Sequence, residues 1–237
     1  MNKGEFIMSI RLHPNLGIEI EFAMDIELLK AKLEANNVEY LFVENRRTEE
    51  SLAAAGSDSL IRSTSGRRRT EPQQRVRSSS TTRLVVKPDK SVGLLDGWEL
   101  NFPPSYTWED IEFILELLKE CNPTFPEKAA LHIHVDVYSL SQLNIDQVHS
   151  YYYNNQNLII DEAKAVNMYV NLNEPLPKTP EEVTTRKTNL NIKHAVRRHN
   201  TIEHRIYKST MDINEIKWCV DHTLSIFNRA LSDIEFY

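Results

Sequence analysis

With 237 residues, 41% of them apolar, the chain can bury a sizeable core and fits one domain over 1–237, or one domain carrying a long insertion. A net charge of −6 argues against a dedicated nucleic-acid binder, which carries a basic balance. No run approaches the ~18 consecutive apolar residues of a membrane span, and the two cysteines, Cys121 and Cys219, fit buried free thiols in a reducing cytoplasm.

Residues 1–11 hold Lys3 and Arg11 around an apolar patch too short for a secretion signal. The first strand is expected over 16–22, where Leu16, Ile18, Ile20 and Phe22 alternate with Gly17, Glu19 and Glu21. A helix follows over 26–35. Residues 46–83 then break the pattern, with nine arginines against four acids, many serines and threonines, and almost no apolar periodicity. Such composition cannot bury enough apolar surface to fold alone. It reads as a solvated insertion, or as a lid or docking loop for a polyanion, and the sequence does not separate the two.

A strand over 94–102 sets Glu99 against Trp98, Leu100 and Phe102. The next helix spans 108–121, with Ile111, Ile114, Leu115 and Leu118 at helical spacing, Thr107 as N-cap and Pro123 as the stop. The strand over 131–137 alternates Leu131, Ile133, Val135 and Val137 with His132, His134 and Asp136. A helix is expected around 161–169, and a Pro-rich loop over 175–180 precedes a helix start at Glu181 and Glu182. The strand over 201–207 sets Thr201, Glu203, Arg205 and Tyr207 against Ile202, His204 and Ile206, and a helix over 212–231 closes the pattern. Strands and helices without a regular βαβ rhythm predict an α+β fold. No internal repeat is present.

The polar faces of these strands carry the functional signal. Solvated faces usually mix Thr, Lys, Ser, Gln and Glu, whereas here the residues are Glu19, Glu21, Glu99, His132, His134, Asp136, Glu203 and Arg205. If the strands share a sheet, these acids converge and repel unless a cation neutralises them. Hard divalent ions take oxygen ligands, and Mg2+ combines one or two carboxylates with phosphate oxygens. Taken singly, each motif has a plainer reading. Glu19 and Glu21 suit an exposed strand face, and Glu203 with Arg205 suits a surface ion pair. His132 and His134, about 6.6 Å apart on one face at ~3.3 Å per residue, suit either satisfied histidines or zinc ligands, although no cysteine lies near them in sequence. No glycine-rich phosphate loop, dinucleotide fingerprint or Gly-x-Ser-x-Gly elbow occurs. A bound nucleotide would therefore be held by metals and side chains.

The order of motifs resembles a known family. Gly17-Ile18-Glu19-Ile20-Glu21-Phe22 is followed by Asp89-Lys90-Ser91, Gly97-Trp98-Glu99-Leu100 and Leu131-His132-Ile133-His134-Val135. Then come Asn189-Leu190-Asn191, Thr201-Ile202-Glu203-His204-Arg205 and Ser209-Thr210-Met211-Asp212 with a closing helix. Together they are similar to the amidoligases of the glutamine synthetase and glutamate–cysteine ligase superfamily, over nearly the whole chain except 46–83. There are two departures: Ala129 and Ala130 stand where the family has a glycine, and His204 replaces an aromatic.

The resemblance implies a curved antiparallel sheet with helices on its outer face and ATP on the concave face. It implies Glu19, Glu21, Glu99 and Glu203 as Mg2+ ligands, with Arg205 on the transferring phosphoryl group and His132 or His134 against a phosphate or metal. Glu21, Glu203 and Arg205 would be the catalytic set. The implied activity is ATP-dependent amide formation through an acyl phosphate, with small-molecule or peptide carboxylates and amines as substrates. Two rival readings use the same residues. A metal-dependent hydrolase or nuclease would activate water at the His and acid ligands, and an interaction protein would keep the sheet without turnover.

Overall fold

The computed structural model describes residues 16–43, 83–89, 92, 96–137, 140–163, 176, 178, 188–192 and 201–232. The 46–83 segment apart from Arg83, residues 164–169 of one expected helix, and the helix start at Glu181 lie outside them. Seven strands form one sheet: β1 (Leu16–Ala23), β2 (Tyr40–Phe42), β3 (Leu84–Pro88), β4 (Gly97–Phe102), β5 (Ala130–Asp136), β6 (Leu190–Asn191) and β7 (Thr201–Lys208). The described helices are α1 (Ile26–Ala35), α2 (Trp108–Glu120), α3 (Gln142–Glu162) and α4 (Ile213–Ser232). The fold is α+β. Among the described residues, no helix is long and apolar enough to cross a membrane.

The strand order is β2-β3-β4-β1-β5-β7-β6. The expectation of a purely antiparallel sheet is corrected at one edge, where β2 and β3 run parallel. A parallel pair needs a crossover, and the chain between these two strands includes the long segment that the sequence marks as an insertion. All other pairings are antiparallel.

Local chemistry explains the helix ends. Asp25 caps α1, its side chain accepting from the Glu27 amide at 3.1 Å. Thr107 and Asp110 form a reciprocal capping box on α2, as do Ser141 and Asn144 on α3. Asn37 (φ 54°) and Asn122 (φ 51°) adopt the left-handed conformation just past α1 and α2, a position asparagine tolerates. Of the helix expected over 161–169, Asp161 and Glu162 belong to the end of α3, which begins at Gln142. Its buried residues Ile145, Val148, His149, Tyr152 and Ile159 keep helical spacing, but Asn, Gln and Tyr dilute the apolar stripe.

One apolar cluster unites the sheet with all four helices. Ile18, Ile20 and Phe22 of β1, Leu100 of β4, Leu131 and Ile133 of β5 and Ile202 of β7 pack with Leu29, Leu33, Ile114, Leu118, Tyr152, Val220 and Phe227 of the helices. Each fully buried Leu, Ile or Phe contributes about 1.5–3 kcal/mol. The helices thus cover one face of the sheet, and the other face carries the charged residues. Cys121 and Cys219 are buried free thiols.

A bulge interrupts the β5–β7 pair. Ile133 faces His204 and Leu131 faces Tyr207, so two residues of β7, Arg205 and Ile206, oppose the single residue His132. This corrects the strict alternation expected over 201–207. Glu203 and Arg205 stay on the charged face, but Tyr207 turns to the helices beside His204 and is fully buried there.

Candidate functional site

Register brings the charged side chains together. Glu21 of β1 lies opposite Glu99 of β4, Glu19 of β1 opposite His132 of β5, and His134 of β5 opposite Glu203 of β7. Period two then points all of them, with Arg205, to one face. Every site residue expected from the sequence is therefore gathered on four adjacent strands. Asp136 sits at the end of β5 opposite Thr201.

The contacts centre on two carboxylates. Glu19 meets His134 Nε2 at 3.1 Å and His132 Nδ1 at 3.4 Å. Glu203 Oε1 takes His132 Nδ1 at 3.2 Å and the Arg205 guanidinium at 2.9 Å, while its other oxygen accepts from Asn191 Nδ2 at 2.7 Å. Glu21 lies beside this group. It accepts from the Ala130 amide at 2.9 Å, hydrogen-bonds Asp89, and approaches His132 Nε2 at 3.7 Å. Glu99 pairs with Lys87 of β3 at 2.9 Å. Glu21, Glu99, His132 and Glu203 are all buried.

Charge crowding divides the titrations. Burial and then Asp89 push the Glu21 carboxyl up to about 9. Burial and the neighbouring Glu19 push Glu99 well above the usual carboxylate range, against the pull of Lys87. Burial alone would also raise Glu19, but the His134 charge, hydrogen bonds to both histidines and Lys87 hold it well below 4.5. Glu203 is likewise lowered, burial being outweighed by His132, Arg205 and His134. Burial opposes the charge on His134, yet Glu19, Glu203 and Glu99 raise it to about 9.

One ligand atom each from Glu19, His134 and Glu203 lies within 4.8 Å of the others. Two carboxylates and an imidazole suit a divalent ion, and the nitrogen donor favours first-row metals more than an all-oxygen set does. The raised proton affinity of Glu21 and Glu99 marks the same deficit of positive charge. Of the four acids expected as ligands, Glu19 and Glu203 belong to this group, and Glu21 and Glu99 adjoin it.

Further residues join the site: Asp89, Asn191 and Ser209 stand in the motifs that carry the resemblance without a role assigned there, and Lys87 stands outside them. Asp89 reaches Glu21 because Gly97 lets its strand end approach β4: a Cβ at position 97 would lie 2.4 Å from the Asp89 carbonyl oxygen. Lys87 lies opposite Glu99 in the β3–β4 register, and its alternation with Val86 is the signal that could reveal it. Asn191 fixes one oxygen of Glu203, and Thr201 Oγ1 lies 3.4 Å from His134 Nδ1. Ser209, just past β7, donates to the Glu21 carbonyl at 2.6 Å, tying the strand end across the site. No family model, curated protein or solved structure matches the chain.

Proposed function

We propose that the chain is an ATP-dependent carboxylate–amine ligase on a sheet of the glutamine synthetase and glutamate–cysteine ligase type, working in the cytoplasm on small-molecule or peptide substrates. The observation that carries the reading is convergence: acids, imidazoles and a guanidinium from four separate strands meet on the sheet face opposite the helices, with His132 and Arg205 on the same oxygen of Glu203. Glu19, His134 and Glu203 would hold a Mg2+ or similar divalent ion, with Glu21 and Glu99 adjoining. When bound, the metal–nucleotide supplies the phosphoryl group and the charge that offsets its oxygens.

The chain's own residues account for the rest. Arg205 spends one N–H on Glu203, and the planar fork keeps other donors for an anionic oxygen. To act as a ligand, His134 would give up the proton that the surrounding carboxylates favour, because only a neutral imidazole coordinates a metal. Asn191 and the Ala130 amide fix Glu203 and Glu21, so the acids are oriented before any ligand arrives. The same donor set would also suit activation of a metal-bound water, which keeps hydrolysis as the second reading.

The test is phosphate release from ATP by the purified chain, with Mg2+ or Mn2+, against pools of amino acids and polyamines. Release that needs both a carboxylate and an amine is the expected result. Turnover without nucleotide would favour the hydrolase, and calorimetry showing no nucleotide binding would favour an interaction protein.

A further inference from the structure

The helix-covered face of β7 holds a continuous run of polar contacts. Tyr152 of α3 meets His204 Nε2 at 3.1 Å, and His204 Nδ1 meets Thr223 Oγ1 of α4 at 2.9 Å. Thr223 Oγ1 meets Tyr207 at 3.0 Å, Tyr207 meets His222 Nδ1 at 2.9 Å, and His222 Nε2 meets Glu162 at 3.4 Å. Glu162 is held by the Arg229 guanidinium at 2.7 and 3.1 Å. Tyr152, Thr223 and Tyr207 are fully buried, and His204 nearly so.

Donor counting fixes the direction of this run. Arg229 first, then His222, keep Glu162 ionised, so it only accepts. Both His204 nitrogens meet hydroxyls, those of Tyr152 and Thr223, in the buried core, where an uncompensated charge is costly, and burial lowers His222, so each ring has one donor and one acceptor. His222 then donates from Nε2 to Glu162 and accepts at Nδ1 from Tyr207. Tyr207 accepts from Thr223, Thr223 accepts from His204 Nδ1–H, and His204 Nε2 accepts from Tyr152. Only this assignment satisfies every group, and it gives the two histidines opposite tautomers.

The run meets the site through the bulge. His204 and Tyr207 are the residues that flank Arg205 and Ile206, and the extra residue is what turns both side chains to the same hydroxyl. We propose that Thr223 is a positioning residue for the opposite face of the sheet: by bridging His204 and Tyr207 it locks the bulge that sets Arg205 on Glu203, and Glu162 dictates the direction of the hydrogen bonds through it. The positioning role rests on the reading of Arg205 as a site residue, whereas the tautomers do not.

Long-range proton–nitrogen spectra of the histidines in the full chain test the direction, with His204 expected to carry its proton on Nδ1 and His222 on Nε2. The opposite tautomer at His204, or a His222 tautomer unchanged in Glu162→Ala, overturns the assignment. Exchange of the Arg205 guanidinium protons, assigned by their loss in Arg205→Lys, tests the positioning without any ligand. Thr223→Val should speed that exchange about tenfold, as expected for a lost buried hydrogen bond, while Thr223→Ser stays within about twofold of the parent. A folded Thr223→Val with unchanged Arg205 exchange overturns the proposal. Should Thr223→Val fail to fold, Tyr207→Phe removes one hydroxyl from the same junction, and unchanged Arg205 exchange there overturns the proposal equally. Absence of nucleotide binding in the parent chain, with Arg205 protected, would sink the ligase reading alone.

Discussion

On the helix-covered face of β7, His204 and Tyr207 meet neutral partners, and each donor finds one acceptor. On its other face, Glu203 and Arg205 sit among charges that do not balance locally, and two neighbouring carboxyls, Glu21 and Glu99, are driven to hold their protons. Apart from the half-buried Arg205, both sets are buried, so burial does not distinguish them. The difference lies in satisfaction: a closed neutral network stiffens a core, whereas a crowded set of acids is a low-energy arrangement only once positive charge is added.

The contrast can be broken most sharply at Glu21. Glu21→Gln should abolish ATP-dependent turnover yet raise the thermal midpoint at pH 7, because the amide is neutral in both states and avoids the proton uptake that folding imposes on Glu21 there. Parallel activity and melting measurements check this, and retained turnover would discredit the charged face as the reacting one.

A second test uses pH. The Glu21 carboxyl, raised from 4.5 to about 9, binds its proton in the folded chain where the unfolded chain has lost it, so stability falls as pH rises through that window. His134, raised from 6.5 to about 9, contributes stability below 6.5 that is also lost on the way to 9. Glu19 and Glu203, both lowered, act at the other end and lose their contribution as pH drops below 4.5. In chelator, the melting midpoint should decline between pH 6.5 and 9, and Mn2+ or Mg2+ should flatten that decline. A flat profile in chelator would remove the case for a charge deficit.

Smaller effects sharpen the picture. Gly97→Ala forces a Cβ against the Asp89 carbonyl and should cost about 2 kcal/mol in denaturant titration. Tyr152→Phe leaves His204 Nε2 without its donor and should cost about 1 kcal/mol, with divalent-ion affinity within error of the parent. A large loss of affinity would mean that the two faces are coupled more widely than through Thr223.

The site is legible in the sequence because its residues obey period two on strands whose apolar partners, such as Ile18, Ile20, Leu131 and Ile133, announce the core side. Periodicity does not announce pairing, so the meeting of His134 with Glu203 and of Glu21 with Asp89 emerges only with the register. Tyr207 departs from its expected face for a related reason: a bulge leaves no mark in a sequence whose flanking residues, His204 and Tyr207, are polar enough for either face. Most of helix α3 is hidden from a pattern reading because Tyr, Asn and Gln occupy many of its positions, although Ser141 and Asn144 signal its start. The short strands β2 and β6 carry too few residues for any period to emerge.

Strand β1 lies in the middle of the sheet, between strands contributed by far later parts of the chain. Its two glutamates precede all their companions in the chain, and gain them only after β4, β5 and finally β7 have been synthesised. Long-range pairing of this kind slows folding. It also makes the assembled charge cluster an all-or-nothing property: a product that stops before β5 and β7 lacks His132, His134, Glu203 and Arg205, and so has only the acidic half of the cluster.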